Sequence, residues 1–244
     1  MRLFVITLTN FSYKILKKLE RFNYKNSNII LGQSNEILTH IETITKKPNL
    51  FLYRNYPDIE APKLIKKQNK PDKNIKLVYA GLLGVAQGIL KLCSKLDFEN
   101  IELHIYGSGA EESQIQEFIK THNKLPIFFH GRAQRNVLHQ KLLNYDIALI
   151  PLLNRIYGSV PSKIFEFTKL GLPIIYFGGG EGETIIEQNN LGWIAKEGNY
   201  VDLNKTIRQI KAEELSFNLR TSIQETATSE FDFKTQLEAL KKIL

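Results

Sequence analysis

Residues 158–167 read GSVPSKIFEF, and residues 170–177 continue as LGLPIIYF. Pro161 suits the first position of a helix, because its fixed φ angle and missing N–H group cost nothing there. The hydroxyl of Ser159 or Ser162 can accept a hydrogen bond from one of the free amides at such a helix start. The first half of this stretch therefore predicts a loop that leads into a helix beginning near Pro161.

The second half of the stretch ends that helix and starts a strand. Gly171 fits the left-handed residue that commonly follows a helix, and Pro173 prevents the helix from continuing. The apolar residues 174–177 then have the composition of a buried strand. We predict a helix that ends near Leu170, followed by a tight turn and a strand.

Two charged residues of the predicted helix suggest a ligand. A helix start offers unpaired N–H groups and a positive dipole end, and Lys163 adds a cation, so this end of the helix suits a phosphate. Glu166, one turn further on, repels phosphate but can accept hydrogen bonds from hydroxyls. Together they suggest a nucleotide, with Lys163 on the diphosphate and Glu166 on the ribose. The alternative is an ordinary amphipathic helix with solvated charges, and these residues alone leave both open.

Residues 161–167 together with residues 171–175 resemble the signature of retaining GT-B glycosyltransferases of the group 1 (family 4) type, especially those that build bacterial surface polysaccharides. The resemblance implies a donor site in which Ser162, Lys163 and Glu166 bind the nucleotide sugar, with Lys163 and Glu166 as the catalytic residues. In the family, a second Glu usually precedes the ribose-binding one by eight positions and contacts the donor sugar. That position here is Gly158, so sugar recognition is expected to differ.

A strand is predicted over residues 75–80, and a glycine-rich loop follows it over residues 81–88. Ligands of parallel α/β sheets bind at the carboxyl ends of strands, where this loop lies. The family loop commonly carries two diphosphate-binding cations at the positions of Leu82 and Gln87, so Lys163 remains the main candidate for neutralising charge. By resemblance, four residues of the loop bind the donor: Gly81, Gly84, Gln87 and Gly88.

Two further segments resemble parts of the donor site. Arg132 follows a predicted strand in a Gly-Arg turn, which in the family lies near the nucleotide base; a solvent-facing arginine is the alternative. Residues 178–182 read GGGEG. Their amides can line a pocket for the sugar or diphosphate through Gly179 and Gly180, or the segment can be a flexible lid.

The order of predicted elements indicates the fold class. From residue 75 onward, strands alternate with helices, which predicts an α/β fold with a doubly wound parallel sheet, Rossmann-like, as in the donor half of GT-B enzymes. Residues 1–60 resemble the last part of the family's acceptor-side domain. We therefore expect a truncated N-terminal α/β remnant over residues 1–60, a linker over residues 61–74 and the donor-binding domain over residues 75–244.

Composition restricts the class of protein. With 43% hydrophobic and 24% charged residues, the chain has the composition of a soluble globular protein. No apolar run approaches the length of a membrane span, and residues 1–8 read as a strand rather than a signal peptide, so a cytoplasmic location is expected. The five histidines show no metal-ligand spacing and no Asp-x-Asp motif occurs, so we expect neither a metal site nor a cofactor.

The formal net charge of +8 favours anionic partners. Lysines and Arg21 surround an apolar stripe on the predicted helix over residues 11–26. Such a helix can lie on an anionic membrane at the inner face, or it can pack on a sheet with solvated lysines. No zinc-finger, RNP-type or helix-turn-helix pattern is present, so nucleic acid is not expected as a partner.

The function that these observations and the resemblance imply is transfer of a sugar from a nucleotide-diphosphate sugar, UDP-linked rather than GDP-linked, to a lipid-linked or polysaccharide acceptor. The family retains configuration, and the leaving diphosphate helps to deprotonate the acceptor. A rival hypothesis is a non-catalytic nucleotide-binding subunit that completes or regulates a partner glycosyltransferase. Gly158, Leu82 and the short N-terminal part favour this rival, and a partner chain or homo-oligomer is expected in either case.

Overall fold

The computed structural model describes residues 10–46, 49–66 and 74–244, with the backbone alone for Asn10 and Phe11. The strand predicted over residues 1–8 lies outside the described residues. The first part of the described chain contains α1 (Asn10–Asn26), β1 (Ile30–Gly32), α2 (Asn35–Ile44) and β2 (Leu50–Leu52). Among the described residues, β1 and β2 pair in parallel as a separate two-stranded sheet.

The main body of the protein is a six-stranded parallel sheet with helices on both faces. Its strands are β3 (Ile75–Leu82), β4 (Ile101–Ser108), β5 (Ile127–Gly131), β6 (Ile147–Pro151), β7 (Ile174–Phe177) and β8 (Gly192–Ile194). Its helices are α3 (Ile89–Lys95), α4 (Glu112–Thr121), α5 (Arg135–Leu142), α6 (Lys163–Lys169), α7 (Glu181–Gln188), α8 (Tyr200–Gln209), α9 (Phe217–Glu230) and α10 (Phe233–Lys241). The doubly wound parallel sheet predicted from the sequence is confirmed.

The strand order determines where a ligand site can form. The order is β5-β4-β3-β6-β7-β8, so the chain winds outward in one direction from β3 and in the other from β6. The ladder between β3 and β6 contains only the pairs Leu77 with Ile147 and Val78 with Ala148. A crevice at the carboxyl ends of the strands beside such a reversal is the usual ligand site of an open α/β sheet.

The apolar strands are buried because helices cover both faces of the sheet. All four residues of β7 are buried, as expected for a strand covered on both sides. One core cluster contains side chains of α5, α6, α7 and α9. The other contains side chains of α3, α4 and α8.

Helix α6 differs from the prediction at its start and agrees with it at its end. The helix begins at Lys163 rather than near Pro161, and Ser162 makes no side-chain capping bond. The predicted serine cap is therefore wrong at that residue. At the other end, Gly171 has a φ angle of +65°. Its N–H donates to the Thr168 carbonyl, and that of Leu172 donates to the Phe167 carbonyl, which forms a Schellman motif.

The N-terminal part exposes one face of α1. Helix α1 touches α2 through Glu20, whose carboxylate lies 3.0 Å from the His40 ring. Its apolar side chains stay between 48% and 63% exposed: Ile15, Leu16, Leu19 and Phe22. Packing of this face on a sheet, one of the two alternatives, is not seen among the described residues. None of the described helices is long and apolar enough to cross a membrane.

Candidate functional site

Two adjoining cavities open at the carboxyl ends of β3, β4 and β5. The larger has a volume of about 710 Å³ and is lined by Arg132, Ala133, Gln134, Arg135, Leu138, Ser162, Lys163 and Glu166. The smaller, of about 310 Å³, is lined by Ala80, Gly81, Leu82, Tyr106, Gly107, Ser108, Arg132, Ala133, Leu138 and Lys163. The shared residues make them one continuous space. It brings together five residues predicted from the sequence: Gly81, Arg132, Ser162, Lys163 and Glu166.

The carboxylate of Glu166 is the most constrained charge in this space. Glu166 is 6% exposed. The Nζ atom of Lys163 lies 2.7 Å from Oε2, and the Nε2 atom of His139 lies 2.7 Å from Oε1. The Nε atom of Arg135 is 3.7 Å from Oε1, beyond hydrogen-bond distance. A buried carboxylate is therefore held from two sides.

These partners determine the protonation state of Glu166. Burial raises the pKa of the carboxyl, but the hydrogen bond from His139 and the positive charge of Lys163 lower it more, so the pKa is about 2. The group is ionised at neutral pH and acts only as a hydrogen-bond acceptor. An ionised carboxylate beside an open cavity is suited to ligand hydroxyls.

Lys163 belongs to both parts of the cavity. Its side chain is 33% exposed. An ammonium group has three N–H donors, so the bond to Glu166 leaves two for other acceptors. An anion in the cavity can therefore bind Lys163 next to the carboxylate that accepts from hydroxyls.

A third cavity connects this site to the N-terminal segment. It has a volume of about 340 Å³ and is lined by Asn55, Tyr56, Pro57, Asp58, Arg135, Ser162 and Glu166. The Tyr56 ring packs edge-on against Phe165 of α6, with ring centroids 4.8 Å apart. The segment that follows β2 thus forms one wall of the space around Glu166.

Three donor-binding residues predicted from the glycine-rich loop, Gly84, Gln87 and Gly88, do not line any of these three cavities. Gly88 packs so closely on Leu153 that an added Cβ atom would lie 2.1 Å from that side chain. The Oε1 atom of Gln87 is buried and has no hydrogen-bond partner among the described residues. The roles predicted for Gly84, Gln87 and Gly88 stay predictions.

The second glycine-rich segment lies beside a cation that the sequence did not single out. The Tyr176 hydroxyl donates to the Gly179 carbonyl at 3.0 Å. The guanidinium of Arg155 packs on Gly180, where an added Cβ atom would lie 2.2 Å from Nε. Arg155 also pairs with Glu36 of α2. The donor-binding roles predicted for Gly179 and Gly180 stay predictions.

Gly158, at the position where the resemblance implies a second Glu, is the point where α2 docks on the sheet domain. Its N–H donates to Oε2 of Glu36 at 2.9 Å, and its carbonyl accepts from the Ser34 hydroxyl at 2.7 Å. Gly158 has a φ angle of +74°, and an added Cβ atom would lie 2.3 Å from the Ile37 side chain. The start of α2 therefore occupies the space into which a side chain at position 158 would project.

The Gly158→Ala substitution should loosen α2 from the sheet domain. The added methyl group displaces Ile37, which we expect to cost about 1–3 kcal/mol beyond the strain of the positive φ angle. Gly198→Ala is the matched control, because Gly198 has a φ angle of +71° and no atom within 4 Å of an added Cβ. Hydrogen exchange of the α2 amides should accelerate only in the Gly158 variant. Equal exchange in both variants would contradict the docking contact.

Comparison with known proteins assigns the family. The model of the family "Glycosyl transferases group 1" matches residues 60–230, so the chain belongs to this family. TarM of S. aureus, crystallised with fondaparinux, alpha-GlcNAc-glycerol and UDP, superposes with a TM-score of 0.73 at 17% identity. That match covers 94% of this chain and 46% of TarM. Comparison with curated protein sequences gave no match.

Two other solved structures show the same fold. HepE of Anabaena, crystallised with UDP, has a TM-score of 0.75 at 14% identity, with 96% of this chain and 68% of HepE covered. Sucrose-phosphate synthase of Thermosynechococcus elongatus has a TM-score of 0.76 at 15% identity, with 94% and 61% covered. This chain thus spans about half to two thirds of the length of these proteins.

Proposed function

We propose that the chain binds the donor of a glycosyl transfer reaction, a nucleotide-diphosphate sugar with UDP as the nucleotide. The observation that carries the proposal is the Lys163–Glu166 pair, which places a cation and an ionised carboxylate side by side in a cavity at the carboxyl ends of the strands. Membership of the group 1 glycosyltransferases and the presence of UDP in crystals of TarM and HepE support it.

Each lining residue has a role in this proposal. Lys163 binds the diphosphate and stabilises the negative charge that builds on it as the sugar leaves. Glu166 accepts hydrogen bonds from the ribose hydroxyls, and Arg132 contacts the base or the phosphate. The reaction retains configuration, and the leaving diphosphate helps to deprotonate the acceptor. No metal is assigned, and the described residues contain no group of three or more His, Cys, Asp or Glu side chains that could hold one.

The acceptor and the division of the chain follow from the family resemblance. We assign the acceptor to lipid-linked or growing surface glycans of bacteria. Residues 75–244 form the donor-binding domain, residues 61–74 the linker and residues 1–60 the acceptor-side part. Asn55 to Asp58 line the cavity beside Glu166, which supports an acceptor-side contribution at this point.

Calorimetric titration with a panel of UDP- and GDP-linked sugars tests this function, followed by a hydrolysis assay on each sugar that binds. The proposal expects UDP-sugars to bind and the best of them to be hydrolysed slowly. Binding with no turnover, even after a partner glycosyltransferase is added, would favour the rival, a non-catalytic nucleotide-binding subunit. The docking of α2 against Gly158 is the observation that favours this rival. The Ile37 side chain of α2 occupies the space in which, by the resemblance, a glutamate side chain would reach the donor sugar.

Glu166→Gln should weaken UDP binding about 10-fold or more, because a hydrogen bond to a charged group contributes roughly 1.5–3 kcal/mol. The same substitution should change binding of 2′,3′-dideoxy-UDP far less, since that ligand lacks the ribose hydroxyls. Glu117→Gln on the exposed face of α4 is the matched control. Both affinities are measured by calorimetry, and equal losses for the two ligands would refute the ribose role.

Helix α1 should bind anionic lipid surfaces. The helix has an exposed apolar face, five basic residues and a single acidic one. Each basic residue near an anionic membrane surface contributes about 1 kcal/mol to binding. Vesicle sedimentation should show binding to anionic but not neutral vesicles, with at least a roughly 10-fold loss at high salt. Leu19→Asp should abolish it, and Val201→Asp, at an exposed residue of α8, should not. Binding that ignores lipid charge would contradict this role.

A further inference from the structure

His139 lies behind the carboxylate of Glu166. It belongs to α5, its side chain is 15% exposed, and it is not among the residues that line the three cavities. Its Nε2 atom is 2.7 Å from Oε1 of Glu166. Because that carboxylate is ionised and can only accept, Nε2 carries the proton and donates it. The ring therefore touches the binding residue and not the space for the ligand.

The second close partner of Glu166 has two tasks. Lys163 bonds to Oε2 in this structure, and in the proposed function it also binds the diphosphate. When its ammonium turns toward a phosphate, its hold on the carboxylate weakens. Removing a hydrogen-bond partner from a buried carboxylate costs free energy. The carboxylate therefore moves or draws in water. Arg135, 3.7 Å away and with a side chain 59% exposed, is a poor substitute.

We propose that His139 is a positioning residue for ribose recognition, which fixes the Glu166 carboxylate in the cavity while Lys163 is engaged by the diphosphate. The inference rests on the proposed function. One oxygen of the carboxylate bonds to the imidazole, and the remaining lone pairs face the ribose hydroxyls. The ring supplies both the hydrogen bond and the fixed orientation, because α5 packs on the sheet through the buried Leu142.

The test compares two substitutions of similar length. His139→Gln keeps an N–H donor at nearly the position of Nε2, and His139→Met removes it. We expect His139→Met to weaken UDP binding about 10-fold and to change 2′,3′-dideoxy-UDP binding less than about twofold, as for a lost bond to a charged group. His139→Gln should stay within about threefold of the natural chain for both ligands. Gln140→Met, at the exposed neighbouring residue of α5, is the control and should change neither affinity.

Three results would overturn the inference while the proposed function stands: unchanged UDP binding in His139→Met, equal losses for both ligands, or a His139→Gln variant as weak as His139→Met. If the natural chain does not bind UDP, the proposed function fails instead. A readout without ligand then decides whether His139 holds Glu166. In ¹³C NMR titrations the pKa of Glu166, about 2 in the natural chain, should rise in His139→Met and not in His139→Gln. An unchanged pKa in His139→Met would show that the imidazole does not hold the carboxylate.

Discussion

The isolated 244-residue chain should bind UDP-sugar and yet transfer the sugar far more slowly than an ordinary enzyme rate of about 1 s⁻¹. Holding two reactants in one geometry contributes up to roughly 7–11 kcal/mol to catalysis. The described residues from β3 onward form a six-stranded sheet that carries the proposed donor site, whereas the described residues before β3 form a two-stranded sheet and two helices. A chain that orders the donor alone forfeits most of this contribution.

The assay follows transfer from the best-binding UDP-sugar to a lipid-linked monosaccharide, with and without a partner glycosyltransferase. Donor affinity is measured on the same preparation, so that slow transfer is not mistaken for failure to bind. The expected result is saturable binding with little transfer and an increase when the partner is added. Turnover by the purified monomer at about 1 s⁻¹ or faster would contradict this account and make residues 1–60 a sufficient acceptor site.

Lys163→Ala should weaken UDP binding by about 10- to 150-fold, which corresponds to the roughly 1.5–3 kcal/mol of a charge-assisted hydrogen bond. The ammonium lies beside the cavity and has two donors beyond the one it gives to Glu166. The predicted cationic positions of the glycine-rich loop hold Leu82 and Gln87, so the loop supplies no replacement cation at them.

Uridine separates this effect from a general disturbance of the site. Uridine lacks the diphosphate, so Lys163→Ala should leave its affinity nearly unchanged while UDP affinity falls. Lys120→Ala removes the same charge from the exposed face of α4 and should change neither. Equal loss of UDP and uridine binding would mean that Lys163 supports the shape of the site through Glu166 and does not bind the diphosphate.

The sequence was sufficient to predict the sheet because its strands are short apolar runs separated by glycine, proline and capping residues. Ser34, for example, caps α2 by accepting a hydrogen bond from the Ile37 N–H at 3.1 Å. Helix α9 was not predicted. It is rich in Ser, Thr, Gln and Glu, and only Ile223 and Ala227, four residues apart, are buried. Tertiary packing stabilises it, with Arg220 donating to three backbone carbonyls of neighbouring loops.

The sequence predicted the proximity of site residues only when those residues are close together in the sequence. Lys163 and Glu166 are neighbours on one helix, and the structure confirms their proximity. The sequence analysis did not predict three charged or polar residues near the site: Arg135, His139 and Arg155. Arg135 and His139 lie on α5, between β5 and β6, and Arg155 lies in the loop after β6. Their positions therefore depend on how the strands are arranged in the sheet. In the structure, Arg135 and His139 lie four residues apart on α5, a spacing that places them on one face of the helix. Nothing in the sequence indicated that Glu36 would bond to Gly158.

A crystal structure of the chain with UDP tests the central claim most directly. The account predicts the diphosphate within about 3 Å of the Lys163 ammonium and a ribose hydroxyl within about 3 Å of the Glu166 carboxylate, in the cavity between α5 and the start of α6. His139 should remain bonded to the other carboxylate oxygen. UDP bound elsewhere, or bound here with its ribose away from Glu166, would contradict the account.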